Sequence, residues 1–80
     1  MKRQKIERRH AAILKQTIVR LIKRGMSREL VSRRELARRI RVSPAQLDRM
    51  LDPENASVRL DAALKAARAV NQKLRIVLTD

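Results

Sequence analysis

The chain has no phenylalanine, tyrosine, tryptophan or cysteine, and only one glycine, two prolines and one histidine in 80 residues. Each shortage excludes something. Without cysteine there are no disulfides and no thiolate metal sites. A lone His10 needs several carboxylate partners to hold a metal, so neither metal nor cofactor is expected. Without aromatics the core must be built from Leu, Ile, Val, Met and Ala, and the stacking platforms of single-stranded RNA modules are missing. With Gly25 as the only glycine there is no Gly-rich phosphate loop. His10 has no neighbouring Ser or Cys to activate, so the chain does not read as an enzyme. The basic N-terminus is not followed by the apolar run of a signal peptide. No apolar stretch approaches the roughly 18 residues that would span a membrane. These absences lead us to expect a soluble cytoplasmic protein with no membrane partner.

Acidic side chains are also scarce, 8 against 21 Lys and Arg, for a net charge of +13. The excess is uneven. Residues 1–41 carry 15 basic and 3 acidic side chains, whereas residues 42–80 carry 6 and 5. Solubility alone does not require one half to hold nearly all the charge, so the pattern points to a polyanionic partner, foremost a nucleic acid. At this length the chain is one small domain, residues 1–80, and marginal enough that oligomerisation is expected to help.

Along the chain, residues 1–9 form a basic arm, suited to a phosphate or minor-groove contact if ordered on DNA. Residues 10–24 read as a helix, with Ile13, Leu14, Thr17, Ile18, Leu21 and Ile22 on one face and Lys15 elsewhere on the wheel. The face is amphipathic and basic, but a core needs it, which argues against a membrane-surface peptide. Gly25 is expected to cap this helix in a left-handed conformation. "MSRELV" (26–31) reads as a connector whose Met26, Leu30 and Val31 touch the core. "SRRE" from Ser32 and "SPAQ" from Ser43 are both capping-box patterns, the second with Pro44 at the first helical position. The helix from Ser32 turns Leu36, Ala37 and Ile40 inward and is dense in arginine; the helix from Ser43 turns Leu47, Met50 and Leu51 inward. "DPEN" (52–55) ends it. A fourth helix over 60–70 shows a stripe of Leu60, Ala63, Leu64, Ala67 and Val70, with Asn71 as its cap. Residues 73–79 alternate as a strand with Leu74, Ile76 and Leu78 on one side. A lone strand needs a partner, either a second copy or another protein's sheet edge.

Two short helices whose caps are eleven residues apart must cross steeply and share a small core, and Ala37 lets the second approach the first. That is the arrangement of a helix-turn-helix, whose second helix enters the major groove of duplex DNA. The charge difference then has a cause. Arg34, Arg38, Arg39 and Arg41 suit phosphates. On the second helix Gln46 can pair with adenine and Arg49 with guanine, while the small Pro44 and Ala45 allow close approach and contact with a thymine methyl.

The stretch "SRRELARRIRVSPAQLDRMLDPENASVRLDAALKAARAVNQKLRIVL" (32–78) resembles the lambda-repressor-like (Cro and XRE type) helix-turn-helix regulators. Within them it is similar to small antitoxins that accompany RelE/ParE-type toxins. The resemblance implies a mainly α fold of four to five helices with a short C-terminal β-strand at 73–79 that assists pairing. It implies a homodimeric transcriptional regulator, nucleoid-associated, and an autorepressor with a toxin partner. The alternatives are a phage- or plasmid-type repressor without a toxin, or a non-specific or RNA-binding basic protein. By position it places Ser43, Pro44, Ala45, Gln46 and Arg49 on the recognition surface, and Arg33 at a phosphate. The chain departs from the pattern in the long "MSRELV" link, and in Arg41, which stands where many members carry glycine. A non-glycine residue at positive φ costs of order 1 kcal/mol.

Overall fold

The computed structural model describes residues 8–55 and 59–75. Among them are four helices: α1 (Arg8–Glu29), α2 (Arg33–Ile40), α3 (Pro44–Met50) and α4 (Leu60–Ala69). The protein is mainly helical. α4 packs on α1 and α2, and α3 on α2. The core gathers Ile18 and Ile22 from α1, Leu36, Ala37 and Ile40 from α2, Leu47 and Leu51 from α3 and its cap, and Ala63, Ala66, Ala67 and Val70 from α4 and its end. Val31 joins them from the α1–α2 link.

α1 is longer than its apolar periodicity predicts, and Gly25 does not cap it. Gly25 is helical and faces the end of α4. A Cβ there would lie 2.5 Å from Val70 Cγ2 and 2.7 Å from the Val70 carbonyl oxygen. The glycine is therefore a crossing point, and its roughly 1 kcal/mol propensity penalty is offset by close packing. The helix runs on through Met26–Glu29 and turns at Leu30, φ 55°. The link to α2 is consequently short, not long. Leu30 is 91% exposed and does not touch the core, whereas Val31 is buried and Met26 packs against the core.

The same turn ends three helices. The Leu30 and Val31 N–H groups donate to the Ser27 and Met26 carbonyls (3.4 and 2.9 Å), those of Arg41 and Val42 to Arg38 and Ala37 (3.3 and 3.0 Å), and those of Asn71 and Gln72 to Arg68 and Ala67 (3.1 and 2.8 Å). These pairs of bonds are Schellman motifs. Their left-handed residues are Leu30, Arg41 and Asn71, none of them glycine, with φ of 55°, 59° and 60°.

Two helix faces are rotated from expectation. On α1 the buried arc is Lys15, Ile18, Val19 and Ile22, while Ile13 and Thr17 are exposed. Thr17 turns its hydroxyl back to donate to the Ile13 carbonyl, 2.9 Å away. On α4 the buried set is Ala63, Ala66, Ala67 and Val70, leaving Leu60 and Leu64 substantially exposed. Residues 72–75 take no regular structure, and Leu74 packs against the core. Ile76 and Leu78, most of the expected strand, lie outside the described residues, as does the arm up to residue 7; residues 8 and 9 open α1.

Candidate nucleic-acid interface

The site is assembled from the ends of α2 and α3. Ser32 stands in extended backbone before α2, and its Oγ accepts the Glu35 N–H at 3.1 Å. Ser43 repeats this before α3, accepting the Gln46 N–H at 3.1 Å, while its own N–H donates to Gln46 Oε1 at 2.8 Å. The full box forms only at α3. At α2 the Glu35 carboxylate turns away from Ser32 to its own helix: Arg38 donates to it through Nε and Nη2 (3.0 and 2.6 Å) and Arg39 through Nε (2.8 Å). Between the two helices the chain reverses at Arg41, whose left-handed backbone brings Ser43 round to start α3.

α3 is seven residues long and sends only Leu47 fully inward, followed by Leu51 from its cap. A second anchor comes from Lys15. This side chain is 3% exposed and donates from Nζ to the Arg49 carbonyl at 3.0 Å. It thus puts a cation at the negative end of the short helix. Burial pushes the Lys15 ammonium below its ordinary pKa of 10.5, and Asp52 partly offsets the shift. Between α1, α3 and α4 lies a cleft of about 210 Å³ whose lining includes Lys15, Ile18, Ile22, Arg49, Met50 and Arg59. α3 is therefore held at its middle, by Leu47, and at its C-terminal end, by Leu51 and Lys15.

The outward residues are those expected. Ser43, Pro44, Ala45, Gln46, Asp48 and Arg49 are all exposed on α3 and its cap, as are Arg33, Arg34, Arg38, Arg39 and Arg41 on α2 and its end. They differ in what they touch. Arg33 reaches across to α3 and pairs with Asp48 at 3.0 Å, both side chains at least half exposed. Arg39 donates from Nη1 to the Ala69 carbonyl (3.1 Å), tying α2 to the end of α4. Arg34, Arg41 and Arg49 form no ion pair among the described residues. The two arginines hold the Glu35 carboxyl down at about 2, Arg38 contributing most, and the same hydrogen bonds raise Arg38. The Glu35 cluster was readable as acid-to-arginine spacings of three and four. Lys15 falls on the arc of Ile18, Val19 and Ile22, yet its charge argued for solvent.

Among the described residues no group of His, Asp or Glu is arranged to hold a metal ion, and no helix is long and apolar enough to cross a membrane. No family model, no curated protein and no solved structure matches the chain.

Proposed function

We propose that the α2–α3 face binds duplex DNA as a lambda-repressor-like helix-turn-helix, and that the protein is a sequence-specific transcriptional regulator acting in the cytoplasm on the nucleoid. One observation carries the reading: two short, serine-capped helices joined through a left-handed Arg41, with five arginines on or at the end of the first, and on the second an exposed surface where the single arginine, Arg49, is balanced by Asp48. α3 enters the major groove. Ala45, Gln46 and Arg49 meet base edges, with Ser43 and Pro44 at the entering end. Gln46 Oε1 is engaged by the cap, so its amide NH₂ is the group that faces a base, as a donor. Arg34 and Arg41 take phosphates directly, while Arg33, Arg38 and Arg39 have protein partners to share.

Within this class the reading is an autorepressing antitoxin that forms a homodimer and binds a RelE/ParE-type toxin. The exposed Leu60 and Leu64 of α4 favour a protein partner on that side. The experiment is a salt series of binding to two labelled duplexes, the DNA upstream of the coding sequence and a scrambled control. A preference for the upstream duplex that survives rising salt, and that falls in Arg49→Ala, supports base reading. Equal binding of both duplexes that vanishes with salt would leave only a non-specific basic protein.

A further inference from the structure

Glu35 is the one acid on α2, and two of the arginines that would face phosphate converge on it. Arg38 makes a two-pronged contact with its carboxylate at 3.0 and 2.6 Å, and Arg39 a single one at 2.8 Å. The cluster is at the surface: the Arg38 side chain is 72% exposed and that of Glu35 32%. Its two cations are not equivalent. Arg39 has a second partner in the Ala69 carbonyl. Arg38 is held by Glu35 alone. A phosphate reaching Arg38 must displace a carboxylate that already occupies its fork, and is repelled by that same charge.

Resting on the DNA reading above, we propose that Glu35 limits the sequence-blind part of DNA affinity by withholding Arg38 from phosphate. Non-specific binding is almost wholly phosphate neutralisation, so each arginine kept in an internal pair subtracts one contact from it. Base contacts from Gln46 and Arg49 are untouched by Glu35 and gain relative weight. The carboxyl is held at about 2, so the limit does not titrate near neutral pH.

The test uses the full chain and the scrambled duplex across a salt series, with helicity and melting temperature followed for every variant. Glu35→Gln should bind about three- to tenfold tighter at low salt, with a log–log salt slope steeper by about 0.9. Glu29→Gln is the control: it makes the same formal charge change at an acid with no ion pair among the described residues. It should change affinity less than about twofold. If the two variants bind alike, net charge alone matters and the proposal is overturned. If Glu35→Gln binds more weakly while remaining folded, Glu35 presents the arginines and does not withhold them, which also overturns it. A second pair avoids altering the acid. Arg34→Gln should weaken scrambled binding about threefold, and Arg38→Gln by less than about twofold. Equal losses would again overturn the withholding role. A wild-type chain that shows no salt-dependent binding to either duplex would instead overturn the DNA reading on which the proposal rests.

Discussion

Arg41 is asked to do two things that conflict. Its backbone is left-handed, where an L side chain is strained, yet its side chain belongs to the basic face. Leu30 has the same backbone with no evident duty, being 91% exposed. Leu30→Gly should therefore stabilise the fold by up to about 1 kcal/mol, the relief of strain outweighing the entropy of a new glycine, as read by the urea midpoint. Arg41→Gly should stabilise comparably but weaken DNA binding about threefold through the lost phosphate contact. Opposite movement of the two readouts would separate backbone from charge. Gly25→Ala should destabilise by about 1–3 kcal/mol, although the same change in an open helix would help, because the new methyl meets the Val70 carbonyl. Titration adds a signature. Glu35 has a folded pKa of about 2, below its ordinary 4.5, so its contribution is complete above pH 4.5 and is lost as pH falls toward 2. Glu35→Gln should flatten that part of the acid limb in urea melts taken from pH 2 to 6. Lys15 has the same sign in a different window: its folded pKa lies below 10.5, the unfolded chain holds the proton longer, and stability rises as pH climbs from that lowered value to 10.5.

At the scale of elements, the starts of α2 and α3 were legible, because serine caps and Pro44 act within four residues of themselves. The end of α1 was not. Gly25 reads locally as a stop signal, and only the approach of Val70 and Gln72 makes it a helical crossing point. The rotation of α4 was half legible. Ala63, Ala67 and Val70 belong to both candidate stripes, and the choice between Ala66 and the two leucines was settled by packing, since an alanine-lined face lets α4 come close to α1 and α2. The outward set on α2 and α3 followed from periodicity, whereas the pairing of Arg33 with Asp48 and of Lys15 with the Arg49 carbonyl depended on contacts distant in sequence. Gln46 shows how cap and surface overlap. Gln46→Ala removes half of the capping box and should cost about 0.5–1.5 kcal/mol, the net worth of one hydrogen bond. Gln46→Glu keeps the box, so thermal unfolding should be near wild type, while a carboxylate in the groove should abolish preference for the upstream duplex in the binding assay.

For the molecule as a whole, five of the 15 basic side chains of residues 1–41 stand on the face proposed for DNA. The arginine-rich α2 and the α2–α3 turn are in the half with 15 basic and 3 acidic side chains, and α4 is in the half near neutrality. On the proposed reading, α4 with its exposed Leu60 and Leu64 meets protein while α2 and α3 meet DNA. A two-fold pair would read half-sites about 34 Å apart. Binding to the preferred duplex should then rise more steeply than a single-site isotherm, and moving one half-site by half a helical turn should abolish the steepness. A hyperbolic isotherm indifferent to that spacing would make the binding unit a single chain.

The way α3 is fastened has an evolutionary consequence. Its hold on the domain runs through one backbone group and inward side chains: the Arg49 carbonyl gripped by Lys15, and the buried Leu47 and Leu51, while the Ser43–Gln46 box closes the helix itself. The side chain of Arg49 takes no part in that grip, and neither does Ala45. Such positions can be rewritten one at a time without disturbing the scaffold. On the proposed DNA reading, a lineage carrying this domain drifts from one operator to another through intermediates that all fold, with Gln46 as the letter hardest to change.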